Sequence, residues 1–120
     1  STADVLYGGA GDDTLCGSGG DNTLDGGTGK DEITSGGGND TIVIRAGDGS
    51  TLLSEANIIT DFEDTADLIG LDGINFNDLT ITQGTGDYAN DTIVSYGVEH
   101  LFIIQNVSLS NITDVDFTPI

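Results

Sequence analysis

The chain has very few basic residues. Lys30 and Arg45 stand against 21 aspartates and glutamates, which gives the 120 residues a formal net charge of −19 at pH 7. Nucleic acid phosphates and anionic membrane surfaces repel a chain of this charge, so both classes of partner are excluded. The carboxylates also repel one another, and a multivalent cation would relieve that repulsion. We therefore expect a metal ion to be the first partner of the chain.

Cysteine, histidine and long apolar runs are scarce as well. Cys16 is the single cysteine, so no disulfide bond can form within the chain, and we expect an incidental free thiol. With His100 as the single histidine, a zinc site is not expected. No apolar run approaches the roughly 20 residues that span a bilayer. The chain begins at Ser1 without an initiator Met or a signal peptide, so we expect it to be a piece of a longer protein.

Glycine, in contrast, is abundant and periodic. Residues 8–43 divide into four nonapeptides, GGAGDDTLC, GSGGDNTLD, GGTGKDEIT and SGGGNDTIV, and residues 4–7 match the end of one more. The sixth position carries Asp4, Asp13, Asn22, Asp31 and Asp40, and the eighth carries Leu6, Leu15, Leu24, Ile33 and Ile42. A disordered linker is the alternative for a segment so rich in glycine and acid. Composition alone does not keep five units in phase, which favours an ordered repeat.

Each nonapeptide can form one turn and one very short strand. Its first six positions hold turn residues, and the glycines permit positive φ. The last three positions form a strand whose central aliphatic side chain points inward. Two units make one coil, and stacked coils pair every second strand in a parallel sheet.

The core of such a roll is thin, because it receives one aliphatic side chain from each unit. Burying a Leu or Ile contributes ~1.5–3 kcal/mol, whereas ordering each residue costs ~1–2 kcal/mol in backbone entropy. Ions that bind only the folded chain can supply the difference. Calcium accepts about 6–8 oxygen ligands at flexible angles, so carbonyls and sixth-position carboxylates of stacked turns suit it.

The remainder of the chain has a different composition. After residue 43 glycine becomes less frequent, and short runs rich in β-branched residues predict strands at Ile58–Ile59, Leu68–Leu71, Leu79–Ile81, Thr92–Val94 and Leu101–Ile104. A hairpin turn is predicted at Tyr96–Val98, and one short helical turn within Asn75–Leu79. No window favours a long amphipathic helix. The chain is therefore expected to be all-β.

The unit G-G-x-G-x-D-x-U-x resembles the RTX (repeat-in-toxin), or hemolysin-type, calcium-binding repeat. The stretch AGDGSTLLSEANIITDFEDTADLIGLDG, followed by FNDLTI, is similar to the segment that closes the roll in secreted RTX proteins. The final LFIIQNVSLSNITDVDFTPI resembles the C-terminus of type I secretion substrates. The resemblance implies a right-handed parallel β-roll over residues 1–43 and a β-rich C-terminal cap over residues 44–120.

The resemblance also implies a function. It predicts a secreted module that folds on binding several calcium ions. The module would be the C-terminal folding and secretion domain of a larger extracellular protein, with an upstream passenger and the type I secretion machinery as partners. Neither a nucleophile–base arrangement nor a zinc-protease motif is present, so any catalytic activity would lie upstream, and His100 is expected to be structural.

Ligand sets for calcium follow from the resemblance by position. One complete site would join Gly9, Gly11 and Asp13 to Gly26, Thr28 and Asp31. A second would join Ser18, Gly20 and Asn22 to Ser35, Gly37 and Asp40. Partial sites would join Asp4 to Gly17 and Gly19; Gly27, Gly29 and Asp31 to Ala46 or Asp48; and Gly36, Gly38 and Asp40 to Asp61 or Asp67. Because Asn22 keeps an oxygen ligand but lacks charge, the second complete site is expected to be the weaker.

Two alternatives stay open at this point. For Asp61, Glu63, Asp64 and Asp67, a solvated acidic loop is as good an interpretation as metal binding. For the whole chain, the alternative function is a carbohydrate-binding module, since similar rolls are appended to alginate-modifying enzymes. Such a module would bind a neutral polysaccharide through Tyr7, Tyr88 or Tyr96, because two basic residues provide little of a groove for an anionic one.

Overall fold

The structure, a computed structural model, describes residues 4–63 and 66–120. Each nonapeptide forms one short strand at its seventh to ninth positions, and successive strands alternate between two sheets. The strands of the repeat are β1 (Val5–Tyr7), β2 (Thr14–Cys16), β3 (Thr23–Asp25), β4 (Glu32–Thr34) and β5 (Thr41–Ile44). The predicted coil of turn, strand, turn and strand is confirmed.

The two sheets continue beyond the repeat. The later strands are β6 (Asn57–Ile59), β7 (Leu68–Leu71), β8 (Leu79–Gln83), β9 (Thr92–Tyr96), β10 (Glu99–Ile104) and β11 (Phe117–Pro119). One sheet has the order β1-β3-β5-β7-β11 and is parallel throughout. The other has the order β2-β4-β6-β10-β9-β8 and becomes antiparallel from β10 onward. The predicted boundary after residue 43 is a change of composition, and both sheets run across it.

Strand register places the eighth-position side chains in line. Leu6 pairs with Leu24 and Leu24 with Ile42 in one sheet, while Leu15 pairs with Ile33 in the other. Beyond the repeat, the core widens and includes aromatic side chains, with the rings of Phe76 and Phe117 packed 4.9 Å apart. The roll is therefore narrow at its beginning and has a conventional hydrophobic core only at its C-terminal end.

The predictions for the C-terminal region are confirmed. All five predicted strands are present, Tyr96–Val98 forms the turn between β9 and β10, and a 3-10 helix spans Phe76–Asp78. The helices in the described ranges are single 3-10 turns, at Leu53–Glu55, Phe76–Asp78, Gly86–Tyr88, Leu109–Asn111 and Asp114–Asp116. A membrane-spanning helix is not found among residues 4–63 and 66–120.

Arg45 ties three segments of the roll together. Its guanidinium group lies 2.8 Å from the carboxylate of Asp25, 3.2 Å from that of Asp48 and 3.1 Å from that of Asp72. Asp25 and Asp48 are buried, so the guanidinium group of Arg45 is needed to balance their negative charges. The three carboxylates raise the pKa of Arg45, which keeps its charge fixed. The loop that follows β5 is thereby attached to β3 and to the end of β7.

Replacing Arg45 should therefore destabilise the fold. In Arg45→Gln, two buried carboxylates lose their cation, and we expect the free energy of unfolding to fall by about 2–3 kcal/mol. Urea denaturation in calcium, followed by circular dichroism, measures the change. Lys30→Gln is the control, because it removes an equal charge from a side chain that makes no ion pair with a described residue. Equal effects of the two substitutions would contradict the assignment.

Candidate metal sites

The sixth-position side chains form two columns along the roll. The first column contains Asp4, Asn22, Asp40 and Asp67, and the second contains Asp13, Asp31 and Asn57. In each column, one side-chain oxygen accepts a hydrogen bond from the backbone N–H of the member one coil earlier. The N···O distances are 2.9, 2.8 and 3.0 Å in the first column and 2.9 and 2.7 Å in the second. The side chains thus hold successive coils together.

Two members of these columns break the 18-residue spacing between coils. Asn57 stands 26 residues after Asp31, and Asp67 stands 27 residues after Asp40, where the repeat spacing is 18. Asp67 was predicted as a candidate ligand, but Asn57 was not. Asn57–Thr60 and Asp67–Gly70 both repeat the last four positions of the unit, D-x-U-x, with Asn in place of Asp in the first. That short signal could have identified Asn57.

The second oxygens of three aspartates have no partner in the protein. Oδ2 of Asp13, Asp31 and Asp40 is buried and accepts no hydrogen bond. Asp31 and Asp40 are each only 1% exposed. Burial raises the pKa of Asp31 to about 6, and it also raises the pKa of Asp40, although backbone N–H groups oppose both shifts. Buried polar atoms are nearly always paired, so these three oxygens indicate a missing cation.

The close approach of the turns shows where four of the carbonyl oxygens lie. A Cβ atom on Gly27 or Gly29, both at positive φ, would collide with the carbonyl oxygen of Gly9 or Gly11 respectively. In the other column, a Cβ atom on Gly36 or Gly38 would collide with the carbonyl oxygen of Ser18 or Gly20. The second- and fourth-position carbonyls of one coil therefore lie against the turn of the next coil.

First-position carbonyls lie against the preceding coil instead. A Cβ atom on Gly8 would come within 2.6 Å of the Gly26 carbonyl oxygen, and one on Gly17 would collide with that of Ser35. Ser18, which replaces a glycine of the repeat, adopts the left-handed conformation with φ of 63°. Its carbonyl therefore keeps the place that a glycine would give it.

The two predicted complete sets, whose role as calcium ligands stays a prediction, each span two successive turns of one column. Gly9, Gly11, Asp13, Gly26, Thr28 and Asp31 lie in two successive turns of one column, and Ser18, Gly20, Asn22, Ser35, Gly37 and Asp40 in two successive turns of the other. Among the described residues, no three His, Cys, Asp or Glu side chains form a ready metal-binding cluster. A cation here would depend on backbone carbonyls together with the unpaired carboxylate oxygens, and such an all-oxygen set suits calcium.

The predicted partial sites have different surroundings. The carbonyls of Gly17 and Gly19, expected beside Asp4, accept hydrogen bonds from the amide nitrogen of Asn22 at 2.8 and 3.3 Å. The Asp48 carbonyl accepts one from the Asn57 amide at 3.1 Å, while its carboxylate pairs with Arg45. Ala46, the alternative to Asp48, is exposed. The carbonyls of Gly17, Gly19 and Asp48 are thus all satisfied by protein donors.

The third partial set is held by hydrogen bonds of its own. Asp61 accepts the N–H groups of Ser35 and Gly36 at 2.8 and 2.9 Å. Asp67 Oδ2 accepts the N–H of Glu63 at 2.9 Å and the hydroxyl of Ser35 at 3.3 Å. Asp61 and Asp67 thus reach the turn that contains Gly36, and Glu63 is exposed. Asp64 lies outside the described residues.

The remaining predicted residues are spread over the surface. Tyr7 lies on β1 and is 75% exposed, whereas Tyr96 is at the end of β9 in the other sheet and Tyr88 is in a 3-10 turn. Cys16 is an exposed free thiol. The ring of His100 hydrogen-bonds to the hydroxyl of Ser95 on the paired strand at 2.9 Å.

Comparison with known proteins gives a family for the repeat. Residues 1–24 and 17–50 match the model of the RTX calcium-binding nonapeptide repeat. This segment therefore consists of RTX repeats, which bind calcium, and the predicted resemblance is confirmed. A comparison with curated protein sequences gave no match.

Solved structures confirm the fold. Two subunits of the mannuronan C5-epimerase of Azotobacter vinelandii, AlgE6R3 and AlgE6R2, each superpose with a TM-score of 0.62 at 20% and 22% identity. The alignments cover 98% and 97% of this chain and 78% and 87% of those subunits. The extracellular lipase LipA of Serratia marcescens gives a TM-score of 0.61 at 22% identity, over 92% of this chain and 20% of the lipase. The chain therefore has the fold of an RTX β-roll module.

A matched pair of glycine substitutions should separate backbone strain from loss of the carbonyl position. Gly9 and Gly27 have φ of 83° and 78°, so alanine at either costs roughly 1–2 kcal/mol. Only in Gly27→Ala does the new Cβ also displace the Gly9 carbonyl. We expect the calcium concentration at the midpoint of folding to be about tenfold higher for Gly27→Ala than for Gly9→Ala, a difference of ~1.4 kcal/mol. Equal midpoints in a calcium titration would refute a role for that carbonyl.

Acid should stabilise the metal-free fold. The pKa of Asp31 is about 6 in the fold against 3.8 for an ordinary aspartate, so its neutral form favours folding. This contribution is fully present below pH 3.8 and is lost as pH rises through about 6. In chelator, thermal stability should therefore be higher at pH 5 than at pH 7.5. Asp31→Asn, which does not titrate, should reduce this difference; an unchanged difference would show that Asp31 is not its source.

Proposed function

We propose that the chain is a calcium-dependent folding module, the C-terminal domain of a larger secreted protein. The observation that carries this proposal is the set of three buried aspartate oxygens without a protein partner. The RTX repeats that contain them bind calcium as a class. A fold that leaves these atoms unpaired is complete only when a cation binds between its coils.

Two complete ligand sets are proposed for calcium. In one, Gly9, Gly11, Gly26 and Thr28 supply carbonyls, and Asp13 and Asp31 supply carboxylates. In the other, Ser18, Gly20, Ser35 and Gly37 supply carbonyls and Asp40 supplies a carboxylate, while Asn22, whose amide oxygen accepts the Asp4 N–H, adds no charge. The second set has one anionic ligand fewer, and we propose that it binds calcium more weakly.

The charge of the chain makes this binding a switch. At a net charge of −19, carboxylates placed at every turn oppose compaction when calcium is scarce, as it is in the cytosol. An open chain is suited to passage through a secretion channel. Outside the cell, calcium near 10⁻³ M is sufficient even for sites with dissociation constants of about 10⁻⁴–10⁻³ M. Each site then contributes RT ln(1 + [L]/Kd) to the stability of the roll.

An extracellular location and a role as one part of a larger protein agree with one of the similar structures. That structure is an extracellular lipase, of which the matching part is 20% of the chain. A calcium roll attached to a larger secreted protein is the corresponding arrangement here. The module itself is not catalytic in this proposal, and the activity of its passenger lies upstream.

Binding of an anionic polysaccharide is disfavoured by the arrangement of charge. Arg45 is already paired with three carboxylates, which leaves Lys30 as a single further cation for an anionic chain. The three tyrosines do not share one strand pair on which a neutral glycan could stack. The carbohydrate-binding function is therefore the weaker alternative, and titration with oligomannuronate and neutral oligosaccharides tests it.

Calcium titration followed by circular dichroism tests the folding proposal. We expect a partly folded chain in excess chelator, with a weak β spectrum and a low melting temperature, and a full β spectrum once calcium reaches the millimolar range. Magnesium chloride and sodium chloride at equal ionic strength are the controls, because they screen charge but do not fit the sites. A β spectrum that persists unchanged in chelator, or one restored equally by sodium chloride, would refute calcium-coupled folding.

A further inference from the structure

Two asparagines occupy sixth-position places in the columns, one in each. Asn22 and Asn57 are 2% and 3% exposed. Each uses its amide oxygen as the aspartates use Oδ1: Asn22 accepts the N–H of Asp4, and Asn57 accepts the N–H of Asp31. In this respect asparagine and aspartate are interchangeable.

The second atom of the side chain makes the difference. Asn22 Nδ2 donates to the carbonyls of Gly17 and Gly19, and Asn57 Nδ2 donates to the carbonyl of Asp48. The partners fix the orientation of both amides, because a flip would turn nitrogen toward an N–H and oxygen toward a carbonyl. Each amide therefore satisfies carbonyls that would otherwise face a cation.

The aspartates present an oxygen at the equivalent place. The position of a Cβ on the first residue of each unit serves as a common reference point. Asp13 Oδ2 lies 2.7 Å from that point on Gly8, Asp31 Oδ2 lies 2.5 Å from it on Gly26, and Asn22 Nδ2 lies 2.9 Å from it on Gly17. The oxygens are buried without a partner, whereas the nitrogen has two.

We propose that the side chains of Asn22 and Asn57 permanently replace calcium. Their amide nitrogens donate hydrogen bonds to the carbonyl oxygens that an ion would otherwise bind. Where the sixth-position residue is an aspartate, the place beside its second oxygen, here called its ion position, stays open to calcium. Where it is an asparagine, the amide nitrogen fills that place, and the ion position is closed. The predicted partial sites at Gly17 and Gly19 and at Asp48 are closed, while the ion positions of Asp31 and Asp40 stay open. This inference rests on the proposed function, because it assigns which positions of the same columns take calcium.

Near Asn57 a second feature acts in the same direction. The Asp48 carboxylate lies 3.2 Å from the guanidinium group of Arg45, so a fixed positive charge already stands beside the closed position. Both closures are made by protein atoms alone. They hold their coils together whether or not calcium is present.

Exchanging the two residue types tests the proposal. Asp31→Asn and Asp40→Asn should each bind one calcium ion fewer than the wild type in native mass spectrometry. Their melting temperature in chelator should rise by ~5 °C, because the new amide satisfies carbonyls that the carboxylate could not. Asp21→Asn is the matched control: it removes the same charge at a fifth position and keeps the oxygen that accepts the Asn39 N–H.

The reverse exchange should have the opposite effect. Asn22→Asp and Asn57→Asp replace a donor with an unpaired oxygen, so each should melt ~5 °C lower than the wild type in chelator and gain more from calcium. Asn39→Asp is the control, because it adds the same charge at an exposed fifth position. Calorimetry in chelator gives the melting temperature of the metal-free chain. Calorimetry at a calcium concentration 5-fold above the binding midpoint, where a site is roughly 80% saturated, gives the increase that calcium produces.

The outcomes separate this proposal from the proposed function. A wild type that binds no calcium would refute the proposed function. A wild type that binds calcium, with the same number of ions in Asp31→Asn and Asp40→Asn, would refute only the role of the asparagines. The same conclusion follows if Asn22→Asp is no more calcium-dependent than Asn39→Asp, or if Asp40→Asn stays unfolded in calcium, since its amide is expected to replace the ion.

Discussion

A carboxylate oxygen buried without a hydrogen-bond donor is the constraint on which the rest of this structure depends. The stacking of coils buries an oxygen of Asp13, Asp31 and Asp40 that finds no donor, while the other oxygen of Asp31 and Asp40 accepts a backbone N–H from the coil before. The carbonyls around them lie against neighbouring turns and add further negative potential. The same geometry that makes the coils stack therefore creates a demand for a cation.

The distribution of apolar residues explains why the repeat depends on that cation for its stability. Over the repeat, the core receives a single aliphatic side chain per strand, which cannot offset the entropy of nine ordered residues. After β5, aromatic residues and the antiparallel strands β8 to β10 widen the core. Elsewhere along the roll, protein donors satisfy such groups: the amides of Asn22 and Asn57 donate to carbonyls, and Arg45 joins Asp25, Asp48 and Asp72. On the proposed account, calcium is left to the middle of the repeat.

Much of this could be predicted from the sequence because the repeat is in phase. A period of nine with Leu or Ile at the eighth position determines both the alternation of sheets and the inward stripe. The continuation of the columns could not be predicted, because the coils that end at Asn57 and Asp67 are 26 and 27 residues long where the repeat has 18. Asp25 and Asp72 could not be predicted as partners of Arg45 either, since they lie 20 and 27 residues away and meet it only after the coils stack. Asn22 was expected to weaken a site, and its role as a donor became visible only from the carbonyls beside it.

Crystallography of the calcium-loaded chain at a wavelength where calcium scatters anomalously is the most direct test of the central claim. The account predicts anomalous peaks about 2.3–2.6 Å from Oδ2 of Asp31 and Asp40, and none beside the amide nitrogens of Asn22 and Asn57. If both carboxylates instead proved to be bonded to protein donors or to water, with no anomalous peak near them, calcium would not be the atom that completes this fold.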